Sequence, residues 1–248
     1  MEDKKAILIQ GAMEVEIDVL KEKIENIQKQ IIDGYEFYQG ELEGYPIVIS
    51  KTEIGIINSA VSTMIGIKQF HPCMIINQGT AGGYGTKVHR GDIVIGNECI
   101  NINSYQTDYR QKGEGSKPLY WKLQTFYDGI DQFEKIEADK ELMQFIKEHE
   151  KSIWNKAVIY GTMGSGDCWN REMDRIQYFN KEYGVLSEDM ETIGTYKIAK
   201  RYNTPIVGVR VIADNEMLQE QYDRTLASRA QEFVISLCRE WIKEGKKQ

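Results

Sequence analysis

The sequence predicts a single α/β domain in which helices cover both faces of a largely parallel sheet. Short apolar runs alternate with amphipathic segments along nearly all of the 248 residues, which is the pattern of strands and helices in such a domain. No Pro-rich or Ser-rich linker, internal repeat or low-complexity segment interrupts this alternation. The length would fit one large domain or two small ones, and the unbroken alternation favours one domain over residues 1–248.

The composition is that of an ordinary soluble globular protein, with 41% hydrophobic and 28% charged residues. A net charge of −7 argues against a nucleic-acid partner, because binding to a phosphate backbone needs a basic face. No stretch approaches the ~20 apolar residues of a membrane span, and the N-terminal segment is too charged for a signal peptide. We therefore expect a cytoplasmic protein without nucleic-acid or membrane partners.

Cysteine and histidine are sparse and scattered. Four cysteines without a CxxC pair, three of them in or beside apolar runs, predict buried free thiols: Cys73, Cys99, Cys168 and Cys238. The histidines have no plausible ligand partner nearby in the sequence: His71, His89 and His149. We therefore expect neither a metal site, a Ser-His-Asp triad nor a cofactor.

Apolar runs predict the strands, and amphipathic periodicity predicts the helices. The predicted strands cover residues 6–10, 46–50, 73–77, 90–95, 158–160, 183–186 and 205–212. The predicted helices cover residues 12–26, 57–70, 138–150, 170–182, 192–202 and 223–243. Residues 35–44 are typical of a polar hairpin region.

Three segments are predicted to lie outside regular structure. Two small-residue loops, at 79–83 and 161–167, follow predicted strands and would let a ligand approach the backbone closely. The first matches neither GxGxxG nor a P-loop, so an ordinary tight turn is an equal alternative. The polar and aromatic segment 101–137 predicts an irregular but packed excursion, such as a lid or a subunit contact.

Carboxylates follow three of the predicted strands. They are Glu14 and Glu16 after the first strand, Glu188, Asp189 and Glu191 in the stretch LSEDMETIG, and Asp214 after the last strand. Capping of the helices that follow is the simple alternative. Because ligands bind at the carboxyl ends of parallel strands, the acids would instead meet in one pocket. Carboxylates accept hydrogen bonds from sugar hydroxyls and perform the acid and base steps of glycosidic cleavage.

An ordered set of short motifs resembles the methylthioadenosine/S-adenosylhomocysteine nucleosidases of the nucleoside phosphorylase superfamily. The motifs are GAMEVE at 11–16, NQGTAGG at 77–83, GDIV at 91–94, SGD at 165–167, DME at 189–191 and VRVIAD at 209–214. The resemblance implies one three-layer α/β/α domain around a mixed, mostly parallel, partly barrel-like sheet. It also implies a homodimer or larger assembly with sites near the subunit interface.

The same resemblance implies roles for the acids. Glu16 corresponds to the base that activates the attacking water, and Asp214 to the acid at the purine ring nitrogen. Glu191 corresponds to the acceptor for the ribose hydroxyls, with Met190 and Met13 against the sugar. Asp189 is then a supporting or capping acid, whereas Glu188 would do no more than face solvent.

Further positions correspond to the binding of the base and of the 5′-substituent. The loop beneath the sugar contributes Thr80, Ala81 and Gly82. Trp169 stands where the family stacks a Phe on the purine, and Ile54 and Tyr222 match apolar positions around the 5′-substituent. For Trp169 and Tyr222, core packing is an equal alternative. Asn170 departs from the family, which has an apolar residue there whose backbone meets the purine.

Electrostatics favours hydrolysis over phosphorolysis. A phosphorylase must hold a phosphate dianion, normally with arginines, and the position of one such arginine is Asn77 here. The acids after the first strand would repel phosphate and suit a water nucleophile. Arg210 is the remaining candidate cation, and we expect it to pair with an acid of the site.

The sequence therefore predicts hydrolysis of the N-glycosidic bond of a purine nucleoside, giving adenine and a ribose derivative. Two alternatives are a nucleoside phosphorylase and a catalytically silent nucleoside-binding module. Segment 101–137 is longer than its counterpart and lacks the family's usual His and Asp, and Ala213 replaces the Ser before the acid. These departures motivate the silent module and leave the 5′-substituent open.

Overall fold

A computed structural model describes residues 4–127 and 130–245 of the chain. The α-helices are α1 Asp18–Lys23, α2 Ile56–Phe70, α3 Lys140–Ile153, α4 Met173–Tyr183, α5 Thr192–Arg201 and α6 Ala227–Gly245. The strands are β1 Ile7–Gly11, β2 Glu25–Ile32, β3 Tyr35–Leu42, β4 Tyr45–Lys51, β5 Met74–Gly83, β6 Ile93–Asn101, β7 Tyr105–Gln106, β8 Lys122–Leu123, β9 Thr125–Tyr127, β10 Ile130–Gln132, β11 Lys135–Glu137, β12 Val158–Ser165, β13 Val185–Asp189 and β14 Ile206–Asp214.

The central sheet is mixed and partly closed on itself. Its strand order is β11-β6-β12-β13-β5-β1-β4-β3-β2, and β14 pairs with both β5 and β6. Strands β6, β12, β13, β5 and β14 therefore form a closed ring, which confirms the predicted barrel-like part. Parallel pairs join β4 to β1 and β1 to β5, and antiparallel pairs build the outer β2-β3-β4 meander. The antiparallel share is larger than the sequence indicates.

Helices cover the sheet on both faces, as predicted. Helices α2 and α5 pack together on one side, and α6 packs against α1, α3, β5 and β14 on the other. The main core joins apolar residues of β1, β4, β5, β6 and β14 to the inner faces of these helices. Every residue of β14 is buried, as the continuous apolar run of a central strand predicts.

The predicted small-residue loops are wrong for residues 79–83 and 161–165, which belong to strands, whereas residues 166–167 follow the strand as a loop. Strand β5 continues through Gly83 and β12 through Ser165. Glycines are needed there because the ring packs its strands and side chains closely. A Cβ on Gly161 would lie 2.2 Å from Leu186 Cδ1, and one on Gly83 would lie 2.9 Å from Ile212 Cγ2.

The predicted first helix is too long. Residues 14–16 form a single 3-10 turn, α1 covers only Asp18–Lys23, and β2 begins at Glu25. Pairing of β2 with β3 outweighs the helix propensity of residues 24–26, because tertiary contacts routinely override weak local preferences.

The described part of segment 101–137 packs against the rest of the chain, but it is less irregular than predicted, since it contains the short strands β7 to β11. Tyr105 stacks on Trp121 at 4.5 Å between ring centroids, Arg175 of α4 donates to Pro118 O at 2.9 Å, and Leu123 is buried. Residues 128–129 of this segment lie outside the described residues. Across the described ranges, no helix has the length and apolar character needed to cross a bilayer.

All four cysteines are free, but only Cys99 and Cys238 are fully buried. Cys73 is half-buried and Cys168 is exposed. Cys168 lies beyond the end of β12 at Ser165 and lines a cavity at that edge of the sheet.

Candidate active site

A cavity of about 220 Å³ lies where β1, β12, β13 and β14 end, beside the last residues of β5. Its walls bring together residues from distant parts of the sequence. The lining residues are Ala12, Met13, Glu16, Ile54, Thr80, Ala81, Gly82, Cys168, Trp169, Glu188, Asp189, Met190, Glu191, Asp214 and Tyr222. The predicted convergence of acids therefore holds for all of them except Glu14, which is exposed and pairs with Lys21 and Lys51.

Glu16 is a buried carboxylate held from two sides. Its Oε1 accepts from Thr80 N at 2.8 Å and from Thr80 Oγ1 at 2.9 Å, and its Oε2 accepts from Ala12 N at 2.9 Å and Met13 N at 3.2 Å. A Cβ on Gly79 would lie 2.7 Å from Glu16 Oε1, so glycine is required for this approach. Four donors occupy an acceptor-only side chain and fix it at the cavity wall.

Glu191 lies between β13 and α5 and accepts one backbone donor on each oxygen. Gly55 N donates to Oε1 at 3.0 Å, and Met190 N donates to Oε2 at 3.3 Å. Each carboxylate oxygen can accept two hydrogen bonds, so one acceptor position remains on each. Burial raises the pKa of Glu191, and the charges of Asp189 and Glu16 act in the same direction.

Asp214 is the last residue of β14 and owes its direction to a β-bulge. Ile212 pairs with Ala81 and Asp214 pairs with Gly82, so Ala213 is the extra residue. Burial raises the pKa of Asp214 to about 6, and the charge of Glu216 adds to this, whereas a hydrogen bond from Trp169 and the charge of Arg171 oppose it. A carboxyl group with that pKa can hold and release a proton near neutral pH.

A buried ion pair lies behind the acids. Arg210 Nε is 3.2 Å from Asp189 Oδ2, with both side chains almost fully enclosed. Arg210 also donates to Asn77 O at 3.0 Å and to Asn77 Oδ1 at 2.5 Å. Asp189 Oδ1 accepts from the backbone of Glu191 and Thr192, each at 2.9 Å. Asp189 is therefore the supporting and capping acid that the sequence predicts, and it is the partner of Arg210.

Glu188 does not face solvent as predicted, because Tyr84 and Asn170 cover its side chain. Its side chain is only 5% exposed. Oε2 accepts from Tyr84 Oη at 2.7 Å and from Asn170 N at 3.3 Å. Burial raises the pKa of Glu188 to about 8, opposed by these two hydrogen bonds and reinforced by the charges of Asp189 and Asp214.

An aromatic pair stands at the cavity mouth. The rings of Trp169 and Tyr222 meet edge to face at 5.6 Å between centroids. Trp169 is 58% exposed and Tyr222 44%, which rules out core packing as the reason for either ring. Ile54, also exposed, completes the apolar rim.

Metal-ligand groups converge away from this cavity. Among the described residues, ligand atoms of His149, Glu240 and Glu244 lie within 4.8 Å of one another. Glu240 already pairs with Lys243, whose Nζ is 3.1 Å from its Oε1. In the cavity itself the acids accept hydrogen bonds from backbone and hydroxyl donors, which suits an organic ligand with polar hydrogens.

Comparison with known proteins places the chain in a family. The model of the phosphorylase superfamily matches residues 6–241. The chain belongs to the phosphorylase superfamily.

Relatives within the superfamily are nucleosidases. The 5′-methylthioadenosine/S-adenosylhomocysteine nucleosidase of Bacillus licheniformis is 27% identical over 243 residues, covering 94% of this chain and 98% of the relative. The crystal structure of the nucleosidase of that name from Neisseria meningitidis, in complex with methylthio-immucillin-A, has a TM-score of 0.78 and 26% identity over 95% of this chain and 99% of its own. These likenesses confirm the predicted family and an enzyme of the N-ribosyl hydrolase class.

The same fold occurs in a protein with a different name. Futalosine hydrolase of Helicobacter pylori superposes with a TM-score of 0.79 at 19% identity, over 95% of this chain and 98% of its own. At that identity the likeness concerns the fold alone. The predicted α/β/α architecture is thereby confirmed by independent structures.

The structure brings most, but not all, of the predicted residues to the cavity. Arg210 lies behind Asp189 rather than in the wall, and Asn170 lies beside the wall, where its Nδ2 donates to Tyr84 Oη at 3.0 Å. Both therefore act through a neighbour instead of lining the cavity. The site residues predicted from the sequence leave out four lining residues, Ala12, Cys168, Glu188 and Asp189. For Ala12 and Cys168, their neighbours in the sequence were the available signal.

Proposed function

We propose that the chain hydrolyses the N-glycosidic bond of an adenine nucleoside of the methylthioadenosine or adenosylhomocysteine kind. The proposal is carried by one arrangement: Glu16, Glu191 and Asp214 share one cavity, while the nearest buried cation, Arg210, is already paired with Asp189. A phosphate dianion needs unpaired donors or cations, and none of the described residues that line this cavity is Lys or Arg. Water is the nucleophile that such a site favours.

Glu16 would take the proton from the attacking water. All four of its acceptor positions are occupied, three by backbone N–H groups and one by the Thr80 hydroxyl. Only the hydroxyl can rotate away. Rotation of Thr80 would free a lone pair on Oε1 for the water proton, without movement of the backbone.

Glu191 and Asp214 would act on opposite parts of the substrate. The remaining acceptor positions of Glu191 suit two ribose hydroxyls, whose binding favours its ionised form. Asp214 would donate its proton to a purine ring nitrogen, so that the base leaves neutral. Negative charge near the sugar stabilises the oxocarbenium-like transition state of glycosidic cleavage. Met13 and Met190 would supply apolar contacts to the sugar, and Trp169, Tyr222 and Ile54 would hold the base and the 5′-substituent.

The test is a panel of nucleosides assayed with and without phosphate. Adenosine, inosine, methylthioadenosine and adenosylhomocysteine are incubated with the enzyme, and free base and sugar products are separated by chromatography. We expect adenine and a free ribose derivative, at a rate that phosphate does not change. Formation of ribose 1-phosphate only when phosphate is present would establish a phosphorylase instead. Tight binding without turnover of any member would establish a silent binding module.

A further inference from the structure

Glu188 presents a carboxyl group to the cavity with one oxygen left over. Oε1 is buried and has no hydrogen-bond partner among the described residues, although Glu188 lines the cavity wall. A buried polar atom without a partner in the protein calls for an explanation. Because Glu188 lines the cavity, a ligand bound there would supply the missing hydrogen-bond partner of Oε1.

The hydrogen bonds of Glu188 identify Oε1 as a donor. Both acceptor positions of Oε2 are filled, by the Tyr84 hydroxyl at 2.7 Å and the Asn170 N–H at 3.3 Å. In a neutral carboxyl group the proton therefore sits on Oε1. Burial raises the pKa of this group to about 8, so the neutral form predominates at pH 7. The free atom is then an O–H group without an acceptor.

Glu188 and Asp214 flank one glycine. In the sheet, Gly82 of β5 pairs with Glu188 on one side and with Asp214 on the other. A Cβ on Gly82 would lie 3.8 Å from both carboxyl oxygens of Asp214, so the glycine leaves the space between the two acids open. A flat ring placed over Gly82 would meet Asp214 at one edge and Glu188 at another.

We propose that Glu188 is the residue that selects the base, its Oε1–H donating to N1 of an adenine ring held between Glu188 and Asp214. The choice of a purine rests on the proposed function. N1 of adenine is a bare acceptor and matches an O–H donor. N1 of hypoxanthine carries a hydrogen and opposes it, so the neutral acid discriminates against 6-oxopurines. Ionised Glu188 would reverse that preference.

Glu191 lines the same cavity, and burial raises its pKa to about 8 as well, so E188Q is needed to assign a titration near pH 8 to Glu188. The other groups around Glu188 titrate elsewhere. Those facing it are Tyr84 after β5, Cys168 after β12, Arg175 of α4, Asp189 of β13 and Asp214 of β14. Burial raises the pKa of both Tyr84 and Cys168 above their usual ranges. Asp189 is paired with Arg210, and the pKa of Asp214 is about 6.

The experiment compares adenine with 1-deazaadenine, which has C–H in place of N1, by titration calorimetry at pH 7. Glu188→Gln keeps a donor and an acceptor in the same volume, and Glu188→Leu removes both. We expect wild type and E188Q to bind adenine about tenfold more tightly than 1-deazaadenine, the effect of one hydrogen bond. E188L should bind the two bases alike. The ratio of the affinities for adenine and 1-deazaadenine is taken within each protein. A smaller folded fraction in one variant would lower both affinities equally and leave this ratio unchanged.

A pH series supplies the second readout. From pH 7 to about pH 9, adenine affinity of the wild type should fall and hypoxanthine affinity should rise, whereas E188Q should show neither change. A preference for adenine over 1-deazaadenine that survives in E188L, or is absent from the wild type, overturns the inference. Because only free bases are bound, absence of nucleoside hydrolysis leaves this test intact, and hydrolysis with equal ratios in all three proteins overturns this inference alone.

Discussion

Arg210 and Asp189 illustrate at the residue scale how the site tolerates so many acids. Their ion pair is enclosed, with 1% and 0% of the side chains exposed. Substituting Arg210→Met leaves Asp189 charged and unpaired, which we expect to lower the free energy of unfolding by about 3–5 kcal/mol. Urea denaturation measures this loss.

A matched control is Arg239→Met. Arg239 pairs with Glu43 at 3.4 Å, with side chains 50% and 48% exposed, and such surface pairs contribute about 0–1 kcal/mol. Equal losses in the two variants would show that burial of the Arg210 pair has no special weight.

Asp214 gives a residue-scale prediction about rate. Asp214→Asn keeps the shape but cannot supply the proton, so we expect kcat to fall by about 10²–10⁴-fold. The pKa of Asp214 is about 6, so kcat/KM of the wild type should decline as pH rises above that value, and this decline should vanish in the variant. Steady-state kinetics across pH measures both, with melting temperature as the check on folding. An unchanged kcat would remove Asp214 from the mechanism.

Glu188 makes the stability of the protein depend on pH. Its pKa is about 8 in the folded chain against an ordinary 4.5, so the folded state holds a proton that the unfolded state releases. The contribution of this carboxyl group to the free energy of unfolding is fully present below about pH 4.5 and is lost as pH rises to about 8. As pH rises between those limits, the free energy of unfolding of E188Q should therefore increase relative to that of the wild type by on the order of a few kcal/mol. A constant difference in unfolding free energy across this range would contradict the assignment.

Single residues also mark the limit of prediction from sequence. Glu16, Glu191 and Asp214 follow strand-like runs, so their convergence at one sheet edge is predictable from parallel-sheet geometry. Burial of Glu188 is not, because it depends on Tyr84 and Asn170, which lie far from it in sequence and cover its side chain.

At the element scale, the start of α2 couples the fold to the sugar side of the site. Gly55 has φ of 107° and donates its N–H to Glu191. Gly55→Ala introduces strain at a positive φ and a Cβ 3.1 Å from Asp167 Oδ1. We expect it to cost about 1 kcal/mol of stability and to raise KM, because the donor to Glu191 shifts.

Gly34→Ala is the control for that prediction. Gly34, in the turn between β2 and β3, has φ of 89° with nothing within 4 Å of a Cβ. Its replacement should cost similar stability and leave KM alone. Thermal unfolding and steady-state kinetics on both variants separate strain from the loss of the contact to Glu191. A KM that rises equally in both would contradict the coupling.

Elements also differ in how well the sequence predicts them. The helices at 57–70 and 223–243 are found within a few residues, because their amphipathic period is long and uninterrupted. The segments 79–83 and 161–165 are mistaken for loops, because runs of small residues are typical of turns. In this structure, glycine is present because a Cβ would clash with side chains of neighbouring strands in the ring. That requirement depends on the tertiary structure and cannot be read from the local sequence.

At the scale of the whole molecule, one apolar surface predicts assembly. On α2, Ile57 is 74% exposed and Met64 36%, and Ile54 at the cavity rim is 49% exposed. Residues 57 and 64 are two turns apart and share a helix face. We expect a homodimer that covers this face, and Ile57→Glu should convert it to a monomer. Light scattering after size exclusion gives the mass.

Ile31→Glu is the control for assembly. Ile31 is 68% exposed but belongs to β2 of the outer meander and not to the face of α2 that carries Ile57 and Met64. Its replacement should leave the dimer intact. A wild-type monomer, or a dimer that survives Ile57→Glu, would contradict the prediction.

The whole-molecule prediction of one α/β domain succeeded because alternation of strands and helices is a long-range statistical signal spread over the chain. Strand order and ring closure were not available from it. They depend on which strand ends meet in space, and β14 lies far from β6 in sequence yet pairs with it along Gly208–Val211. The family resemblance, not periodicity, supplied the barrel-like part.

The bulge at Ala213 determines which face of the sheet Asp214 occupies. Consecutive residues of β5 face opposite sides of the sheet, so pairing with Ala81 and Gly82 turns Ile212 and Asp214 to opposite faces. In a regular register, residue 213 would pair with Gly82 and residue 214 with Gly83, and the acid would face the other side of the sheet. The extra residue, rather than the identity of its side chain, therefore sets the direction of Asp214, so Ala can stand where the family has Ser.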